Sequence, residues 1–254
     1  MIGCIIQARM GSSRLPGKAM KKINGKIPML KFQLDQLKFS KYIDKIIIAT
    51  TTLENDDFIV SFCEQNNIEH FRGNSKDVLD RYYNCSRIFK LPTIVRITSD
   101  NPLIDPEIVD DVINEFQNSK YDYISTENEK TFPLGFAVEI FNFKSLEKAW
   151  TDSELPSERE HVTPYIIKNK TLFNQKNYSY EQDMSHLRCT VDTQDDFNLI
   201  EKIIQKIDSR PIHLMDVLRL EQNEPDLFEI NSHVKHDGME RSLKEDEEFL
   251  NNNS

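Results

Sequence analysis

The sequence predicts an α/β fold, a mainly parallel central sheet with helices on both faces. Two patterns carry that reading. Short apolar runs rich in branched residues, such as Ile2-Gly3-Cys4-Ile5-Ile6 and Ile46-Ile47-Ile48-Ala49, suit strands buried on both sides. Between such runs recur amphipathic stretches long enough for helices, and repeated β–α alternation indicates parallel strands joined by covering helices. At 254 residues, one large domain suffices to bury most of the apolar surface.

The elements follow in order. Residues 2–6 form the first strand, and a basic loop with two glycines comes after it. A helix is expected over 28–37 with Pro28 in its first turn, where the missing N–H costs nothing. Residues 44–50 read as the second strand, 55–66 as a helix capped by Asn55, and 68–71 as a short strand. Residues 75–89 are expected to be helical, with Leu79, Tyr82, Tyr83 and Ile88 on the apolar side. Then come a strand at 93–97, a helix at 106–116, strands at 121–124 and 136–141, and helices near 143–150 and over 157–168. Residues 187–191 read as a further strand and 194–207 as a helix. Residues 1–232 are thus the expected domain. Residues 233–254, polar, net acidic and ending in Asn-Asn-Asn-Ser, read as a loosely held tail.

Composition narrows the function. A net charge of −10, 38% hydrophobic residues and a mean hydropathy of −0.56 describe a soluble globular chain. The apolar runs fall far short of the ~20 residues that span a bilayer, so no membrane association is expected. Apolar residues precede charged ones at the start, the reverse of a secretory signal, and a cytoplasmic protein is expected. Cys4, Cys63, Cys85 and Cys189 lie far apart, which argues for free, buried thiols rather than a zinc site or disulfides. The acidic balance disfavours nucleic acid as a partner.

The charge is unevenly spread. Residues 1–34 hold seven basic side chains and no acid. A positive stretch confined to one loop region suits a small polyanion such as a nucleoside triphosphate. The loop is not a Walker A motif: five residues separate Gly11 from Gly17, and Ala19 stands where a magnesium-binding hydroxyl would follow Lys18. Nor is it the dinucleotide fingerprint, which needs a third glycine. Gly11-Ser12-Ser13 instead offers open N–H groups and two hydroxyls as an anion nest does, Arg14 and Lys18 add charge, and Pro16-Gly17 turns the chain so that Lys18 faces the same anion.

Asp100 follows the strand at 93–97 at its carboxyl end, where open α/β sheets place ligands, and suits a metal. Asp192 ends another apolar run, with Thr193 placed to cap the next helix and Asp195 and Asp196 in its first turn.

The stretch Ile5-Ile6-Gln7-Ala8-Arg9-Met10-Gly11-Ser12-Ser13-Arg14-Leu15-Pro16-Gly17-Lys18 resembles the opening signature of cytidylyltransferases of the spore-coat polysaccharide type, relatives of the CMP-sugar synthetases. Arg72-Gly73-Asn74-Ser75-Lys76-Asp77, Thr98-Ser99-Asp100-Asn101-Pro102, Phe132-Pro133-Leu134-Gly135, Glu158-Arg159-Glu160-His161 and Val191-Asp192-Thr193 match in the family order, over roughly residues 1–232. The resemblance implies a nucleotide-diphospho-sugar transferase fold, glycosyltransferase-A-like, a dimer, and transfer of CMP from CTP to a sugar with release of pyrophosphate. It makes Asp100 and Asp192 magnesium ligands, and Arg14, Lys18 and Asp100 the catalytic groups. Ala8, Arg9, Gly11, Ser12 and Ser13, with Gly73, Asp77 and Arg81, would surround the nucleotide. Gly135, Glu139, Arg159 and His161 would face the sugar, with Arg159 suited to an anionic group and Glu139 to a hydroxyl. Magnesium needs only one or two protein carboxylates, so the pair suffices. Two other readings stand beside this one: a glycosyltransferase using a nucleotide sugar on the same fold, and a non-catalytic nucleotide sensor.

Overall fold

The computed structural model describes residues 1–235 and 238–252. In chain order its elements are β1 (Ile2–Gln7), β2 (Lys22–Ile23), β3 (Ile27–Pro28), α1 (Met29–Leu37), β4 (Lys45–Thr51), α2 (Asp57–Gln65), β5 (Glu69–Gly73) and α3 (Val78–Ile88). These lead to β6 (Thr93–Thr98), α4 (Pro106–Gln117), β7 (Tyr123–Ser125), β8 (Glu139–Asn142), α5 (Phe143–Asp152), α6 (Pro156–His161), α7 (Pro164–Lys168) and β9 (Gln175–Asn177). The chain ends in α8 (Gln194–Lys206), α9 (Leu214–Asn223), α10 (Pro225–Phe228) and α11 (Gly238–Asn252).

Seven strands form one sheet in the order β5-β4-β1-β6-β8-β7-β9. Strands β5, β4, β1 and β6 are parallel neighbours, whereas β8 runs antiparallel to both β6 and β7, so the sheet is mainly parallel with one reversed strand. Side chains alternate across the two faces. Ile2, Cys4 and Ile6 of β1 join Ile48, Val95 and Ile97 under α1, α2, α4 and α8; Ile5, Ile47, Ala49 and Ile94 face the layer of α3 and α5. Burial on both sides explains the unbroken apolar runs.

Several boundaries differ from the sequence reading, each for a local reason. Pro28 lies in a two-residue strand and precedes α1. A short 3-10 turn, Glu54–Asp56, precedes α2, so Asn55 is not the cap. Asp77 caps α3 by accepting from Asp80 N at 2.8 Å, and Ile88 is exposed at the helix end. The single helix expected over 157–168 is two, because Pro164 cannot supply an N–H and Val162 turns with φ 74°. Residues 187–191 carry a single β-bridge, Leu134 to Arg188, and do not form a strand of the sheet. The expected loose tail is instead helical over α11, which docks on α6: Asp246 is buried and accepts from Ser157 N at 2.8 Å and Ser157 Oγ at 2.6 Å. All four cysteines are free and buried, as expected.

A polar joint ties α4 to α9. Asp105 caps α4 and accepts from Glu107 N at 2.8 Å, Leu214 N at 2.7 Å and His213 Nδ1 at 3.0 Å. Burial opposes the His213 charge, but the bond to Asp105 and its charge outweigh this and raise the pKa above the ordinary value. The joint therefore contributes fully below the unfolded value of about 6.5, and its contribution is lost as pH rises through the higher folded value. His213→Ala should lower the melting temperature more, relative to the parent protein, at about pH 5.5 than at about pH 8.5. Equal deficits at the two pH values would rule the charged pair out.

Candidate active site

The loop after β1 and the loop after β6 leave adjacent strand ends in different directions, since β1 continues to β4 on one side while β6 lies on the other. In open α/β sheets that divergence opens a crevice at the carboxyl ends of the strands. Here it is a cleft of about 910 Å³.

The first loop is held by its own backbone. Gly17 N and Ser12 N both donate to Met10 O, at 2.9 and 3.0 Å, and Lys18 N donates to Leu15 O at 3.2 Å. Gly17 adopts φ 71°, a left-handed conformation that glycine takes without strain, and starts a 3-10 turn at Lys18–Met20. Met10 N donates to Asp56 Oδ1 at 2.7 Å, and Asp56 also takes the Thr51 hydroxyl. Asp56, which sequence reading passed over, thus anchors the loop to the end of β4.

This loop aims Lys18 at two carboxylates. Its Nζ lies 3.0 Å from Asp100 Oδ2, 3.0 Å from Asp192 Oδ1 and 2.8 Å from Val191 O. The carboxylates converge because Val191 N donates to Asp100 O at 2.8 Å and the Thr190 hydroxyl to the same oxygen at 3.2 Å, stitching the extended 190–192 segment to the loop after β6. Burial disfavours the Lys18 charge, yet Asp100 and then Asp192 more than offset it and raise its pKa. Burial likewise works against the charge of Asp192, and Lys18, Arg14 and Arg188 reverse the balance and lower its pKa. Arg14 reaches Asp192 Oδ2 at 3.1 Å.

Behind Asp192 stands a network that sequence reading missed. Arg188 contacts Asp192 Oδ2 at 2.9 Å and Asp196 Oδ1 at 2.8 Å, and Asp196 is fully buried. Asp196 also accepts from Asp192 N at 2.9 Å and from Asn231 Nδ2 at 2.8 Å. Its pKa falls to about 2, because Arg188 and those N–H groups outweigh the opposing burial. Thr193 Oγ1 caps α8, as expected, through the N–H of Asp196 at 3.3 Å.

The remaining predicted residues divide. Ala8, Arg9, Ser12, Ser13 and Arg81 line the cleft beside Arg14, Lys18, Asp100 and Asp192, while Gly11 stands at the open edge of the loop. Gly73 lies outside the cleft lining; a Cβ there would come within 2.9 Å of Arg81 Cγ, so it makes room for that buried side chain. Asp77 and Arg159 pair with each other, Nε to Oδ2 at 2.7 Å, and neither lines the cleft. Arg159 further donates to Trp150 O at 2.7 Å and so ties α6 to α3 and α5. Asp77 is a helix cap, and its nucleotide role and the anion-binding role of Arg159 are corrected accordingly.

Glu139 lines the cleft with both oxygens engaged. It accepts from Tyr123 OH and Thr163 Oγ1, both at 2.6 Å, and pairs with Arg96. It holds β6, β7 and α7 together, with Oε1 taking both hydroxyls and Oε2 taking Arg96. Glu127, by contrast, faces the cleft as a half-buried carboxyl whose pKa burial raises. No spacing in the sequence marked it. His161 lines the cleft with Nε2 2.9 Å from Ser242 Oγ of α11. Ser242 donates its one proton to Glu160 at 2.8 Å, so it accepts from Nε2–H, leaving His161 Nδ1 as the ring's acceptor.

Gly135 is required by the fold of the site. Its φ is 112°, and a Cβ would stand 2.6 Å from the Cys189 carbonyl carbon. Gly135→Ala should therefore push the 189–192 segment outward with Asp192 and cost about 2 kcal/mol or more. A denaturant titration matching the parent protein would refute this.

The donor set at Lys18 suits a hard divalent cation: two carboxylates and a main-chain carbonyl converge, all oxygen, around an ammonium that already stands in as a cation. A second group, Asp105, Glu107 and His213, brings ligand atoms within 4.8 Å of one another. It lies outside the cleft lining, and both Asp105 oxygens already accept N–H groups in the joint described above.

A basic, anion-gripping loop at the point where strand order diverges, facing paired carboxylates across an open cleft, defines a nucleotidyltransferase. The family model described as cytidylyltransferase matches residues 3–247, and the chain belongs to that family. It is 33% identical over 231 residues to the spore coat polysaccharide biosynthesis protein SpsF of Bacillus subtilis, covering 87% of this chain and 94% of that one. It is 38% identical over 246 residues to an uncharacterized protein of Methanocaldococcus jannaschii, covering 96% and 98%. The solved structure of a cytidylyltransferase from Leptospira borgpetersenii superposes with a TM-score of 0.86 at 34% identity, covering 89% of this chain and 96% of that chain. The family resemblance and the nucleotide-diphospho-sugar transferase fold expected from the sequence are borne out. Among the described residues no helix is long and apolar enough to cross a membrane.

Proposed function

We propose that this nucleotidyltransferase moves CMP from CTP to a hydroxyl of an acidic, nonulosonate-like sugar, releasing pyrophosphate and making a CMP-sugar for surface polysaccharide. The observation that carries the reading is the meeting of Lys18, Asp100 and Asp192 beside the phosphate loop. The sugar oxygen forms a bond to the α-phosphorus while the bond to the α–β bridging oxygen breaks; the hydroxyl proton passes to water in the open cleft and the electron pair of the broken bond leaves with pyrophosphate. Negative charge grows on phosphate oxygens, so fixed cations do most of the work.

In this reading the hydroxyls of Ser12 and Ser13 and the N–H groups of Gly11 and Ser13, which the loop's own bonds leave out, cradle the triphosphate, with Arg14 and Lys18 neutralising it. Ala8, Arg9 and Arg81 border the nucleoside. Asp100 and Asp192 would hold magnesium, which when bound supplies charge neutralisation at the reacting phosphates. On the sugar side Gly135 and His161 border the acceptor, and the cleft cations Lys130 and Lys170 replace Arg159 as partners for an acidic group. The active species is proposed to be a cytoplasmic homodimer, which light scattering on the purified protein addresses for its oligomeric state.

The test mixes the protein with CTP, magnesium chloride and a panel of acidic and neutral sugars and measures pyrophosphate. Release that requires CTP and an acidic sugar is expected. Pyrophosphate from neutral sugars alone would overturn the acceptor class, and turnover of an intact nucleotide sugar without CTP would replace the reading by glycosyl transfer.

A further inference from the structure

We infer that Lys18 has two stations: in the nucleotide-free protein its ammonium fills the place between Asp100 and Asp192, and a divalent cation takes that place only together with the triphosphate. The inference rests on the proposed assignment of those two carboxylates as the cation's ligands.

Cations already hold both oxygens of Asp192 and one oxygen of Asp100. Lys18 Nζ sits within 3.0 Å of one oxygen from each carboxylate and donates its third proton to Val191 O, so all three N–H bonds are used. A magnesium ion bridging the two carboxylates would bind their oxygens at about 2.0–2.1 Å, and at Asp192 it would meet an oxygen already held by Lys18 or by Arg14 and Arg188. Only 12% of the Lys18 side chain is exposed, so the ammonium is a fitted component of the cluster and not a passing contact.

Charges of both signs meet around it. Arg14, Lys18 and Arg188 face Asp100, Asp192 and Asp196 in one connected set of ion pairs. A free dication approaching the two carboxylates meets a positive ammonium between them and has to displace it. A triphosphate changes the balance. Its oxygens, gripped by Ser12, Ser13 and Arg14 in the same cleft, offer new acceptors for the ammonium. Lys18 has four methylenes over which to swing while the 3-10 turn beneath it stays fixed. Once the lysine moves, two carboxylates are left without their shared counter-ion and take the dication. Cation and nucleotide binding are then positively coupled, and by reciprocity each strengthens the other.

Manganese serves as the probe, since its binding is read directly by electron paramagnetic resonance without turnover. Four samples carry the comparison: the parent protein, Lys18→Met, Lys18→Met with Asp100→Asn, and the parent protein with α,β-methylene-CTP, which cannot react. Lys18→Met is expected to bind free manganese at least about tenfold more tightly than the parent protein, and the analogue to tighten binding to the parent by a similar factor. Manganese should also raise the melting temperature of Lys18→Met more than that of the parent. Lys18→Gln, which keeps a donor without the charge, is the second variant should methionine fail to fold, and every titration with analogue is read against manganese and analogue without protein and repeated on Lys18→Met, where the gain from the analogue should be smaller than in the parent. Equal manganese affinity in parent and Lys18→Met, lost on adding Asp100→Asn, would overturn the two-station inference and leave the ligand assignment standing. Manganese binding that survives Asp100→Asn would overturn the assignment itself.

Discussion

Lys18→Met is expected to lower turnover by about a thousandfold, the upper part of the range for removing one preorganised group that stabilises transition-state charge. The side chain keeps its length and apolar stem, so what is lost is one positive charge at the phosphate end of the cleft. Stability is expected to fall much less. Asp192 keeps Arg14 at 3.1 Å and Arg188 at 2.9 Å, and Asp100 is partly open to water. The check is pyrophosphate release under saturating CTP together with a melting curve. A variant that loses activity only in proportion to its unfolded fraction would assign Lys18 to the fold and not to the reaction.

Arg188→Ala has the larger effect on folding. Asp196 has no exposed surface and Arg188 only 6%, and the arginine contacts both Asp196 oxygens, at 2.8 and 3.2 Å. Removing one partner of a buried pair leaves a charge in low dielectric, a loss of about 3–5 kcal/mol. For a chain of this size that corresponds to a fall of roughly 6–20 °C in melting temperature. Exchanging both partners for apolar residues, Arg188→Met with Asp196→Leu, should recover part of the stability, because neither charge is then stranded although Asn231 Nδ2 and the N–H groups of Asp192 and Thr193 lose their acceptor. Activity should not return with it. Asp192 loses the arginine on its Oδ2 and the acceptor for its N–H, which together aim the carboxylate at Lys18. Recovery of turnover along with stability would show that the network serves folding alone.

Much of the fold is legible from local pattern. Branched apolar runs mark β1, β4 and β6 because a strand buried on both faces must be apolar at every position, and Pro106 and Thr193 mark helix starts because an N1 proline and an N-cap hydroxyl act within one turn. The tail misled because composition alone was read. α11 carries mainly polar and acidic residues, and its attachment depends on a few of them, Ser242 and Asp246, meeting Ser157, Glu160 and His161.

The site divides along the same line. The loop of Gly11, Ser12, Ser13, Arg14, Gly17 and Lys18 is legible locally, since its N–H groups, hydroxyls and charges belong to one short segment and follow from residue type. The sequence by itself also determined that Asp100 and Asp192 end apolar runs at the carboxyl side of the sheet. Only the tertiary structure decided what each charge faces. Lys18 meets carboxylates 82 and 174 residues away, Asp77 is taken by Arg159 82 residues away, and Glu139 is engaged by Arg96, Tyr123 and Thr163. A charged side chain has no role until its partner is known, because pairing and burial set whether it is free to meet a ligand. Those partners are chosen by how distant segments pack, which no local pattern records.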